Sequence, residues 1–315
     1  MEARKIIGFG NSSFVISLPK SWIARNKLKK GDTVYLDEKV DDLVVASSEY
    51  PKKEEKEVVI NIEGKNFDEI RREISNAYIH NNHTIILIGK NIEKISQQIR
   101  EDIVHNIMAL EIVEQTSNKI ITKDFLDMDQ INIKDLIRQI DIIIRSIMMD
   151  SKDVLNKDIY DNIMERDKNI NRLSFLAFRS IKYLLENPAV AKKQKFDYPF
   201  LMNYWLVIVY LEEIADELKR FIRLFIHSKL KKKEIKGILD LQKEITDYYL
   251  STLKFFYTEN KKEAYKLIQK RDCLIKSLNS FLENNYSNKK MSFVIEKLRT
   301  LVFLIHKLNK ITFSA

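Results

Sequence analysis

Two short stretches place carboxylates at helical spacing. In ERDKNIN, Glu165 and Asp167 precede Asn171, and in LEEIAD, Glu212 lies four residues before Asp216. Residues four apart share one face of a helix, so Asp167 with Asn171, and Glu212 with Asp216, each present two side-chain oxygens side by side. Two such pairs on facing helices suit a hard or borderline cation such as Mg²⁺, Mn²⁺, iron or Zn²⁺. The same spacing is also an ordinary solvated surface feature in a chain whose residues are 31% charged. Context sets Glu212 and Asp216 apart, because YWLVIVYL precedes them and Ile214 and Ala215 lie between them. At least one of the two therefore borders a core, where a carboxylate requires a cation, a hydrogen-bond donor or a shifted pKa.

A second chemistry is carried by cations. The first 31 residues hold Arg4, Lys5, Lys20, Arg25, Lys27, Lys29 and Lys30 against the acid Glu2, in a chain of formal net charge +9. Clustered cations suit a polyanion, and Arg4, Lys5, Lys20, Arg25 and Lys27 are the expected DNA face, chiefly as phosphate contacts that position rather than specify. A solvated lysine-rich surface is the competing account of each lysine, and the better one for the downstream run KLKKKEIK. No phosphate-binding glycine loop, GxSxG, CxxC or HExxH occurs, so nothing points to an enzyme. His80 and His83 in HNNH are read as an exposed turn. The lone Cys273 is expected to fill a core gap, with a reducing, cytoplasmic setting. The most apolar run, from Phe200 to Leu211, falls short of the roughly 20 residues that span a bilayer, so no membrane insertion is expected.

The elements that must position these groups fall into four regions. Residues 1–48 read as short strands (KIIGFG, FVISL, TVYLD, LVVAS) with turns at Gly10-Asn11, Lys30-Gly31-Asp32 and Asp41-Asp42. In FVISLPKSW, Phe14, Ile16 and Leu18 form one face to bury, Pro19 ends the strand and opens a short helix, and Trp22 packs on the sheet or across a dimer. A unit below about 50 residues seldom buries enough surface alone, so a homodimer is expected. Residues 49–127 begin with the charged linker YPKKEEKE and continue as a βαβαβ module. Residues 128–228 and 229–315 read as two antiparallel three-helix bundles. Their echo is DNIMERDKNINRLSFL against KLIQKRDCLIKSLNSFL. The expected fold is mainly α: tandem bundles preceded by a β-rich dimerisation unit and an α/β module.

GFGNSSFVISLPKSWIARNKLKKGDTVYL resembles the AbrB-type swapped-hairpin DNA-binding domain, in which a strand closing in Leu-Pro-Lys, a short helix and Lys-Lys-Gly-Asp follow in order. That resemblance implies an intertwined dimer whose first strand and helix region approach DNA. The helical two-thirds resembles PhoU, a regulator of phosphate uptake built from two three-helix bundles bearing E(D)xxxD metal motifs. LEEIAD and ERDKNIN stand at the third-helix and second-helix motifs. The combination is similar to archaeal phosphate uptake regulators. It implies a transcriptional regulator of phosphate homeostasis, a divalent or iron-type metal in the first bundle, and contact with a phosphate transporter or sensor. The alternative is an adaptor that binds no DNA and modulates such a transporter by protein contact. The chain departs from the motif at Asn171, where an acid is expected, and in the second bundle, where Lys276 follows Asp272 and Thr300 follows Glu296.

Overall fold

The computed structural model describes residues 3–10, 12–38, 43–47, 55–90, 92–155, 157–258, 261–285 and 289–314. The expected turn residues Asn11, Asp41 and Asp42, and most of the linker at 50–57, lie outside the described residues. The chain divides into two compact units, Met1–Glu54 and Glu55–Ala315. The division falls within the charged stretch of residues 50–57.

The first unit contains two antiparallel hairpins. Strand β1 (Ile7–Phe9) pairs with β2 (Ser13–Val15) in the register Gly8↔Phe14, and β3 (Tyr35–Glu38) pairs with β4 (Leu43–Ala46) in the register Leu36↔Val45. Helix α1 (Lys20–Arg25) lies between them. Pro19 has extended backbone and caps the helix from outside rather than occupying its first turn, which corrects the expected position by one residue. At the other end the Lys27 N–H donates to the Ala24 carbonyl at 3.1 Å and the Leu28 N–H to the Ile23 carbonyl at 3.0 Å. Lys27 has φ +55°, the left-handed position that such a helix ending usually gives to glycine.

Among the described side chains of residues 3–47, none is buried. Phe14 is 79% exposed and Phe9 71%. The expected apolar face of Phe14, Ile16 and Leu18 is therefore present but uncovered within one chain. Two ribbons and six residues of helix have no second layer to close upon.

The second unit opens with a four-stranded sheet in the order β5-β6-β8-β7, formed by β5 (Lys56–Asn61), β6 (Asn82–Ile88), β7 (Leu110–Gln115) and β8 (Lys119–Asp124). Helices α2 (Phe67–Ile79) and α3 (Glu93–Asn106) make the crossovers. A capping box between Asn66 and Glu69 starts α2. The strand β8 corrects the βαβαβ expectation: KIITKD inserts antiparallel between β6 and β7. It is held there by buried Ile120 and Thr122, whose hydroxyl donates to the Ile85 carbonyl at 3.2 Å. His83 lies in β6, directly after its first residue, rather than in a turn, whereas His80 is exposed at the end of α2.

The first bundle comprises α4 (Ile133–Asp150), α5 (Lys157–Glu186), the short α6 (Pro188–Lys193) and α7 (Tyr198–His227). The second comprises α8 (Lys232–Thr258), α9 (Lys261–Glu283) and α10 (Lys289–Ser314). One apolar core runs through both, with α10 against α7 and α8 against α4. The buried carboxylate of Asp141 on α4 joins them. It accepts from Tyr249 at 2.9 Å and Tyr257 at 3.1 Å, both on α8, and pairs with Arg145 at 2.6 Å.

The α/β module is part of the same compact unit. Phe175 of α5 packs into the core beneath the sheet, and Arg179, one turn further, is fully buried. Its guanidinium pairs with Asp124, donates to the Asn81 side chain at 3.3 Å and lies 4.3 Å from the Tyr78 ring centroid. Cys273, expected in a core gap, is exposed on α9, and Leu274 beside it takes the buried position.

Candidate functional site

The facing surfaces of α5 and α7 bring together most of the acids selected from sequence. Asp167 is buried on α5, and Glu212 and Asp216 are half-buried on α7. Lys219 lies between the two helices. Its ammonium donates to Asp167 Oδ2 at 2.6 Å and to Asp216 Oδ1 at 2.8 Å. The other oxygen of Asp216 accepts from Arg220 at 2.8 Å. One residue along, the buried Glu217 pairs with Arg220 at 3.2 Å and with Lys297 of α10 at 3.1 Å. Asn171 stands half-buried one turn beyond Asp167, whereas Glu165 is exposed and pairs with Lys168 at 2.9 Å. The seam thus gathers Asp167, Glu212 and Asp216 and leaves Glu165 on the outer face.

Burial raises the pKa of Glu212, and the neighbouring Asp216, Glu213 and Asp167 raise it further. For Asp167, burial raises the pKa by more than the hydrogen bond and charge of Lys219 lower it. Burial pulls Lys219 downward, but its bonds to Asp167 and Asp216 reverse that and hold the ammonium protonated.

These residues do not fit a metal ion as they stand. The Asp167 and Asp216 oxygens that converge on the gap already accept from Lys219 and Arg220, and Asn171 supplies no charge. Among the described residues no group of three or more His, Cys, Asp or Glu is placed to share one ion. Lys219 is not among the residues that acid spacing singles out. The signal was there in LEEIADELK, where Lys219 falls three residues after Asp216 and seven after Glu212, on the same helical stripe.

The equivalent seam of the second bundle is arranged differently. Asp272 pairs with the adjacent Arg271 at 2.9 Å, and Glu296 with Arg299, three residues on, at 2.9 Å. Each acid is answered within its own helix.

Residues 137–224, which span α5, most of α7 and the acid seam, match the family model described as the PhoU domain. The first bundle is similar to a PhoU domain. Residues 9–57 match a second model, described as "Antidote-toxin recognition MazE, bacterial antitoxin". This is the β-rich unit in which the AbrB-type pattern was read. The crystal structure of PhoU from Pseudomonas aeruginosa aligns with a TM-score of 0.46 at 11% identity, over 57% of this chain and 93% of that one. None of the curated proteins compared matches the chain.

The candidate DNA face lies in the MazE-like unit. Arg4, Lys5, Lys20, Arg25 and Lys27 are all exposed there. Lys20 and Arg25 stand at the two ends of α1, and Lys27 is fixed in the helix ending. Elsewhere, no described helix is long and apolar enough to cross a membrane.

Proposed function

We propose that this protein is a DNA-binding transcriptional regulator of phosphate uptake. It dimerises through its N-terminal unit and contacts a transporter or sensor through its PhoU-like bundles. One observation carries the reading: the described part of residues 3–47 buries no side chain, while exposing Phe9, Phe14, Leu36 and Leu43 together with Arg4, Lys5, Lys20, Arg25 and Lys27. Apolar surface of that extent on so short a unit calls for a covering partner. A second copy supplies it and doubles the positive surface offered to a duplex. Phosphate contacts by Lys and Arg make such binding weaken steeply with salt, because each neutralised phosphate releases counterions.

The test is a titration of the full chain with the DNA upstream of its own coding sequence, at several salt concentrations. Binding is expected to fall on a log–log plot against salt, with a shallower slope for the double variant Arg4→Ala/Lys5→Ala. The MazE description favours a second reading, because it names recognition of a protein. In that case the N-terminal unit is a protein clamp and the chain is an adaptor that modulates a transporter without touching DNA. Absence of DNA binding at low salt, with the dimer intact, selects the adaptor.

A further inference from the structure

We infer that Lys219 is a built-in replacement for a metal ion: its ammonium stands at the point where the α5 and α7 carboxylates would otherwise require a bound cation. Three observations carry this. The oxygens of Asp167 and Asp216 come from different helices yet converge on the single Lys219 nitrogen, at 2.6 and 2.8 Å. Asp167 is buried, so its charge needs a partner at the seam rather than in solvent. Lys219 is itself mostly shielded, with its side chain 22% exposed, and it belongs to the same stripe of α7 as Glu212 and Asp216.

A tethered ammonium is present at a fixed effective concentration, against which a dissolved ion must compete. A divalent ion entering the seam must first evict Lys219 and then tolerate it, with Arg220, as a like-charged neighbour. The α5–α7 contact is therefore held at all metal concentrations, and chelators leave it intact. The inference concerns the first bundle alone and stands whether the N-terminal unit binds DNA or protein.

The experiment uses the full chain stripped with EDTA and titrated with MnCl₂ and, separately, ZnCl₂, read by thermal unfolding and calorimetry. The wild type is expected to show no stabilisation that depends on Asp167. Lys219→Ala is expected to unfold at a lower temperature and to regain several degrees with Mn²⁺, by ordinary linkage of binding to folding. Adding Asp167→Asn to that variant is expected to abolish the recovery. Lys219→Met, which keeps most of the aliphatic stem, gives the same readout if the alanine variant fails to fold. Binding of one Mn²⁺ or Zn²⁺ by the wild type that is lost in Asp167→Asn overturns the inference. So does a folded Lys219→Ala or Lys219→Met variant that takes up neither ion.

Discussion

The N-terminal unit and the helical unit treat apolar residues in opposite ways. Within Glu55–Ala315 the helices share a continuous core in which Ile140, Ile144, Leu211, Phe221 and Leu253 have no measurable exposure. Among the described residues of Met1–Glu54, the apolar side chains of β1 to β4 face outward. The amino-acid types are similar, since FVISL and TVYLD are as apolar as many core strands. The difference lies in how many layers one chain supplies. Three long helices close around each other, whereas two ribbons and six residues of helix supply no second layer to close upon.

Arg179→Ala leaves the buried Asp124 without its cation, with the Leu126 N–H as a remaining donor, and opens a void under the Tyr78 ring. It is expected to destabilise the helical unit by about 3–5 kcal/mol, measured by denaturant unfolding, without changing the association of the N-terminal unit. Next, Phe14→Asp places a charge on the uncovered ribbon. It is expected to weaken dimerisation by at least about 30-fold, or about 2 kcal/mol, in sedimentation equilibrium, while the unfolding of the helical unit is unchanged. A monomeric wild type with the same stability would remove the basis of the comparison.

Smaller effects sharpen it. Tyr249→Phe takes one donor from the buried carboxylate of Asp141 and is expected to cost about 1–2 kcal/mol of stability, loosening the contact between the two bundles. Smallest is Glu212→Gln. Because the folded state holds the Glu212 proton to a higher pH than the unfolded chain does, ionising it works against folding. Stability supplied by that proton is present below the ordinary carboxylate range and lost as pH rises through the raised pKa. The variant is therefore expected to be slightly more stable than wild type at pH 7, with the gap closing toward pH 4. A gap that widens on acidification would show the direction to be wrong.

Much of this architecture was legible from period alone. The apolar steps of three and four in INIKDLIRQIDIIIRSIMM correspond to α4, and the i,i+4 acids led to the α5–α7 seam. What escaped was governed by contacts that a local pattern does not encode. KIITKD looks like the tail of a module, and only pairing on both sides makes it the inner strand β8. Arg179 was passed over although it interrupts FLAFRSIKYLL as plainly as Glu212 interrupts its own run. A charge inside an apolar stretch needs a partner whether it is an acid or a cation. The same holds for Lys219. Cys273 was misplaced because its apolar character was weighed without regard to its helical face, which it shares with neither Leu274 nor Leu278.

Helix α5 carries two buried charges, Asp167 and, twelve residues later, Arg179. At the rise of an α-helix that interval is about 18 Å of uninterrupted rod. One end is bolted into the sheet by a guanidinium, and the other is bolted to α7 by an ammonium. The contacts at Asn81 and Asp124 and the seam with α7 are thus joined by one unbroken helix.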